Sequence, residues 1–489
     1  MLLALVVVGG VVVRVWPFVR FGGARHYPVD NDEGVYFAAA SMLVRGVLPY
    51  RDFALAHPPG ILLAFAPAAL AAPTDPAAAY ALARWGSALV GALNLVLVWR
   101  IAARWSGPEA GLAAAALYAI YPEAALAERS TAIEPVLNLA CLAMADAWLR
   151  PEPRASCAGV FAGLALAVKL WAAPWILAVL LSLPREHRLV AVGRFALGGA
   201  LATGVVALPF VAAAPGACFE QVLRLHSRRP PDGALGWTRV GELWNTGHGA
   251  ATALAALALA AGLARVVRGR REVRLFGSTY VLVALAFLAA PGFWRQYNSH
   301  LAAPECVLAG VAAAWLGSRA GGLVGAMTPG RRPYARAVLV ACALAALTPS
   351  LRACRASARL RAHDQDALAL AIRALPADAR VFAFEPGWGL IAGRLPEVVP
   401  GREVVVDPWS RMMLEVSRGD RRYTDADRAW HESEAWRAIA PSLLASDYVV
   451  CGWRGAWQLG APGRAWFEAR FVQVWERPGP PALDLWRRR

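Results

Sequence analysis

Apolar runs recur along this chain from residue 2 to about 349, and no soluble core takes in that many of them. Inside lipid a backbone must satisfy its own hydrogen bonds, so consecutive long apolar runs read as membrane helices. They fall near 2–19, 79–101, 109–125, 135–149, 156–168, 172–184, 190–213, 248–266, 275–291, 301–317 and 335–350, about eleven spans. The run 60–72 is short and lies between prolines, which suits a re-entrant or surface helix. Composition agrees: 58% of residues are hydrophobic and 17% charged, against roughly 25% charged in soluble domains. The expected fold is mainly α, a polytopic membrane helix bundle over residues 1–350.

Charge sets the orientation. The connections near 100–108, 150–155, 184–194, 265–274 and 318–336 hold 16 arginines, whereas those near 20–59, 121–134, 214–246 and 292–300 hold 10 over more residues. The arginine-dense set is expected in the cytoplasm. With eleven spans the N-terminus is inside, as an uncleaved signal anchor that carries Arg14, and the C-terminus outside. The net charge of +16 is spread between apolar runs, so it speaks for lipid headgroups and topology, not nucleic acid. Seven scattered cysteines give neither a disulfide framework nor a metal-binding spacing. Residues 351–489 differ in texture: from 352 onward, 21 Arg stand against 17 Asp and Glu. A helical stretch at 356–374 precedes β-like runs at 381–384, 404–406, 448–450 and 471–475, the pattern of a small extracytoplasmic α/β domain.

Candidate chemistry begins in the first loop, Asp30-Asn31-Asp32-Glu33-Gly34-Val35-Tyr36. Carboxylates beside a bilayer are costly to desolvate, and an adjacent pair such as Asp32 and Glu33 suits a general base acting on a hydroxyl. The plainer reading is acids at a helix N-terminus, with about equal weight. His57 closes the same loop in His57-Pro58-Pro59. Arg129 and Glu134 flank a helix entrance, as a ligand clamp or as an interfacial ion pair. Lys169 is the single lysine among 50 basic residues and lies in an apolar stretch. A buried ammonium asks for an anion, such as a lipid-linked phosphate, unless it snorkels to the interface. Arg228 and Arg229 begin a basic turn suited to phosphate or headgroups, and His300 precedes another apolar run. No Walker A, GxGxxG, HExxH or GxSxG pattern is present, which disfavours an ATP-driven pump or a nucleotide-sugar enzyme.

Taken in order, these residues resemble the lipid-linked sugar transferases of the GT-C superfamily. The nearest likeness is to glycosyltransferase family 39, which includes protein O-mannosyltransferases and lipid A aminoarabinose transferases. The resemblance runs over roughly 1–350 and rests on Asp32-Glu33 with Tyr36, Leu48 to Phe53, His57-Pro58-Pro59, Arg129 to Glu134, Lys169 and Gln296 to His300. It implies inverting transfer of a sugar from a polyprenyl-phosphate donor to an extracytoplasmic hydroxyl on a glycan, lipid or protein. By the same resemblance Asp32 is the catalytic acid position with Glu33 beside it. Lys169 faces the donor phosphate, helped by Arg228 or Arg229. No cofactor is implied with certainty; the acids allow a divalent cation, though no ligand spacing demands one. The alternative is a transporter or flippase of lipid-linked sugars, which would gather its charges mid-membrane in repeated halves.

Overall fold

The computed structural model describes residues 1–28, 31–183, 188–234, 236–244, 248–263, 271–328, 330, 332–357, 362–477 and 483–489. Asp30 and parts of the connections 184–194, 265–274 and 318–336 lie outside the described residues.

Helices dominate, and proline at the first turn starts many of them, as at Pro76, Pro108, Pro122 and Pro215. Proline's fixed φ matches the helix there and its missing N–H costs nothing. Six segments among the described residues are long and apolar enough to cross a bilayer: Leu2–Arg20, Pro76–Ser106, Leu189–Ala213, Arg271–Ala289, Arg295–Ala326 and Ala337–Cys354. The protein is membrane-embedded and multi-pass. Five other expected spans fold as shorter helices, Pro108–Ala119, Glu134–Trp148, Ala155–Val168, Ala173–Leu181 and Gly249–Leu263. Breaks at Ile120-Tyr121 and at Lys169 account for two of those shortenings. The run 60–72 forms the helix Gly60–Ala71.

Small residues let these helices approach closely. A Cβ on Gly159 would lie 2.1 Å from the Phe195 carbonyl oxygen, and one on Gly163 2.3 Å from that of Gly199. Buried ion pairs supply the rest of the register. Arg14 meets Glu128 at 2.5 Å, and that carboxylate also accepts from Asn94 and Tyr118. The arginine inside the first helix therefore docks it to its neighbours. At one end of the bundle Asp146 gathers Arg100, Arg104 and Arg150. At the other, the first loop, the 121–134 connection, the 214–246 connection and the 292–300 turn meet one another and the C-terminal region.

That region carries a four-stranded sheet: β1 (Val381–Ala383), β2 (Tyr448–Gly452), β3 (Phe471–Glu476) and β4 (Leu483–Arg488), in the order β1-β2-β4-β3. β1 and β2 run parallel, and the other pairs antiparallel. The run 404–406, expected as a strand, does not join the sheet. Its Val404 N–H instead bonds the Asp52 carbonyl of the first loop at 2.8 Å. β4 was not expected; it buries Leu483 and Leu485 on one face. The helix Arg332–Ser357 runs past the boundary expected at 350.

Candidate active site

The helix Asn31–Val44 begins with its acids in the first turn, where the helix dipole favours them. Its start is pressed against the C-terminal region, since a Cβ on Gly34 would lie 2.3 Å from the Gly387 nitrogen. The loop after this helix is folded tightly on itself. Tyr50, at φ 67°, donates its hydroxyl to the His57 carbonyl at 2.7 Å. Outside clamps hold it from the segment Pro215 to Arg228: Gln221 Oε1 accepts from Leu55 N–H at 2.8 Å, and the His226 ring bonds the Ala56 carbonyl at 2.6 Å.

Between this loop and the C-terminal region lies a cavity of about 280 Å³. Asp32, Tyr36, His57, His226, Arg229, Trp294 and Tyr297 line it from the membrane side. From the other side come Glu385, Asp407, Trp409, Trp453, Arg454 and Trp457. Asp32 is the acid most open to it among the first-loop pair, its side chain 31% exposed. Gln296 Nε2 donates to its Oδ2 at 2.9 Å, and Arg454 Nη1 reaches its Oδ1 at 3.4 Å. The three-residue turn Arg295–Tyr297 thus serves the site at each position. Arg295 anchors to Glu123 at 3.0 Å, Gln296 holds Asp32, and Tyr297 forms wall.

Glu33, expected to act beside Asp32, is turned the other way. Its carboxylate is fully buried and grips Arg84 at 2.5 and 3.1 Å, with Thr131 N–H as a third donor at 3.1 Å. Adjacent residues on a helix diverge by about 100°, so one acid meets the cavity and the next the core. The expected clamp at 128–134 is likewise internal: Arg129 is buried beside the Tyr27 ring, and Glu134 pairs Lys169 at 2.7 Å. The lone lysine therefore finds its anion within the chain. Its ammonium also lies 4.3 Å from the Tyr297 ring centroid, one layer behind the cavity. Glu33 and Glu134 border a small neighbouring pocket of about 20 Å³. His300 is buried in the helix Asn298–Ala326, bonded to Asn138 and to the Trp171 carbonyl, away from the cavity. Arg228 donates to the Ser417 carbonyl at 3.2 Å and lines a different cavity. Of the residues singled out by sequence, the cavity brings together Asp32, Tyr36, His57 and Arg229.

Desolvation shapes the rest of the wall. Burial, then the nearby Lys169, His226 and Arg229 charges, push the His57 imidazole well below its ordinary range. His226 is lowered too, burial outweighing its bond to Ala56. Glu385 and Asp407 are pushed up by burial, against the pull of Arg454 on the first and Ser410 on the second. Among the described residues no group of three or more His, Cys, Asp or Glu side chains is arranged to hold a metal ion.

The residues that sequence reasoning missed come mostly from the C-terminal region. Glu385 and Arg454 sit just beyond the ends of the parallel neighbours β1 and β2. Carboxyl ends of parallel strands are where open α/β sheets bind ligands, and that signal was available from the strand assignments.

Residues 79–213 match the family model described as dolichyl-phosphate-mannose-protein mannosyltransferase. No curated protein sequence matches the chain. Among solved structures, ArnT from Cupriavidus metallidurans in the apo state is similar at a TM-score of 0.61 and 14% identity, over 99% of this chain and 97% of that one. The same protein bound to undecaprenyl phosphate gives 0.59 and 13%, over 99% and 97%. The Archaeoglobus fulgidus oligosaccharyltransferase in its apo form gives 0.59 and 14%, over 93% of this chain and 69% of that one. The chain thus shares the fold of these structures, and its residues 79–213 match the mannosyltransferase family model.

Proposed function

We propose that the protein is an integral membrane glycosyltransferase that moves a sugar, with inversion, from a polyprenyl-phosphate donor to a hydroxyl acceptor. The observation that carries this reading is Asp32, open to the cavity and oriented by Gln296 and Arg454 from two different parts of the chain. Support for the donor class comes from the similar structures, which include an ArnT with undecaprenyl phosphate and an archaeal oligosaccharyltransferase with dolichol-phosphate.

In this mechanism the acceptor hydroxyl lies against Asp32, which takes its proton as the oxygen attacks the anomeric carbon. Gln296 holds Oδ2 at 2.9 Å, and Oδ1, which Arg454 reaches at the longer 3.4 Å, is the oxygen that meets the acceptor. The bond to the lipid phosphate breaks, and the departing anion needs cations in a water-poor site. Arg454 and Arg229, both lining the cavity, take that role. Lys169 acts from behind, holding Tyr297 in the wall and balancing Glu134. Tyr36 and His57 shape the membrane-side floor, the latter as a neutral imidazole. The aromatic faces of Trp294, Trp409, Trp453 and Trp457 suit the apolar faces of sugar rings. The acceptor belongs to the glycan, lipid or protein class.

The arginine-dense connections assign this end of the bundle, with residues 351–489, to the extracytoplasmic side. We place the catalytic helices in 1–350 and the cap of the cavity in 351–489. Asp32→Asn tests the reading directly. Transfer from a polyprenyl-phosphate sugar should fall at least about 100-fold, the usual worth of a general base, while the protein stays in the membrane. Full activity in that variant would remove Asp32 as the base.

A further inference from the structure

A second cavity, of about 440 Å³, shares only Arg229 with the cavity of the mechanism above. Ser227, Arg228 and Arg229 line it from the membrane part, and Asp420, Arg421 and Arg422 from the C-terminal part. Four guanidinium groups against one carboxylate leave three positive charges around one space. Two of the four are satisfied within the protein: Arg228 by the Ser417 carbonyl and Arg421 by Glu432 at 2.9 Å. The other two have no hydrogen bond or ion pair among the described residues. Arg422 is exposed, and Arg229 is half-buried with its charge 5.0 Å from the Trp409 ring centroid. A partly desolvated guanidinium without an acceptor is unfavourable, and a bound anion offsets that cost.

The place of the cavity says which anion. The helix Arg188–Ala213 is followed by a helical run, Pro215–Phe219, Glu220–Arg224 and Leu225–Arg228, that ends at these arginines. Gln221, Val222 and Leu225 on this run are buried, whereas Phe219 and Leu223, one turn apart, are 61% and 47% exposed. An amphipathic run leaving a membrane span with its apolar stripe outward lies in the interface, with its end at headgroup depth. Phosphate is the anion found there, and paired arginines hold phosphate in bidentate fashion. Arg229 borders this cavity and the Asp32 cavity alike.

We propose that the cavity between Arg228–Arg229 and Arg421–Arg422 binds the phosphate headgroup of an anionic membrane lipid, at the doorstep of the Asp32 cavity. The site stands apart from the transferase reading, because its test needs no turnover. Full-length protein is purified in detergent with equal amounts of phosphatidylglycerol and phosphatidylcholine, and the lipid retained is counted by native mass spectrometry. The wild type should retain phosphatidylglycerol in preference. The double variant Arg421→Glu, Arg422→Glu should lose at least roughly 30-fold in that affinity, the worth of two arginines' attraction before the repulsion of two glutamates is added. Arg437→Glu, a surface charge reversal outside the cavity, should leave it unchanged. Equal retention in wild type and double variant, or equal loss in the Arg437→Glu control, would overturn the proposal. Displacement of the lipid by soluble glycerol phosphate at matched concentration would overturn the lipid as source and assign a free phosphate instead.

Discussion

Two neighbouring acids, Asp32 and Glu33, have opposite duties because a helix turns them apart. Asp32 keeps a side chain 31% exposed beside two donors, whereas Glu33 is sealed against Arg84. Buried pairs of this kind are strongly sensitive to loss of one partner, by about 3–5 kcal/mol, since the other charge is left uncompensated. Glu33→Ala should therefore lower stability by about that amount, and Lys169→Ala should do the same by stranding Glu134. Asp32→Asn should cost less than about 1 kcal/mol, a change at an accessible, weakly bonded carboxylate. Thermal unfolding of the three variants in detergent checks the ranking. A stability loss for Asp32→Asn matching that of Glu33→Ala would mean Asp32 is also a framework residue.

At the scale of elements, the site depends on how closely the helix Asn31–Val44 approaches the short helix Pro386–Ile391. Gly34 permits that approach; the atoms a methyl would meet are Gly387 backbone, which cannot swing aside. Gly34→Ala should strain the contact by about 1–3 kcal/mol, the usual cost of overpacking. The strain separates Arg454 from Asp32 without touching either residue. Transfer should drop while membrane insertion persists, and the C-terminal region should become more sensitive to protease. Unchanged activity and protease resistance would show that the contact is looser than its geometry implies. The turn Arg295–Tyr297 is the second such element, because one anchoring pair with Glu123 sets the position of Gln296 and Tyr297 together.

For the whole molecule, the cavity joins groups whose burial makes stability respond to pH. His57 and His226 have folded values below the unfolded one of about 6.5. As pH falls below that, the unfolded chain binds protons that the folded chain resists, so stability declines toward the folded values. The slope is at most about 1.4 kcal/mol per pH unit for each histidine. Glu385 and Asp407, raised by burial, work in the opposite sense just above their ordinary values near 4. Melting temperature in detergent should thus fall from pH 7.5 to 5.5, and the variant His57→Gln, His226→Gln should flatten that fall. A wild-type curve already flat over this range would count against neutral, desolvated histidines in the wall.

The chain by itself determined that it is a multi-pass membrane protein with a differently built C-terminal part, because apolar run length and charge balance are local quantities. It also set Asp32, Tyr36 and His57 on a single loop and its helix, and Arg229 in a separate basic turn; the tertiary structure brings the four to one cavity. It did not reveal that Glu33, Arg129, Glu134, Lys169 and His300 would turn inward, nor that Glu385, Asp407 and Arg454 would complete the cavity. Side-chain direction and pairing between residues far apart in sequence, such as Arg84 with Glu33 or Arg454 with Asp32, follow from packing. A charge in a membrane protein goes to whichever partner the tertiary structure brings within reach, and only that structure decides whether the partner is a ligand or another side chain.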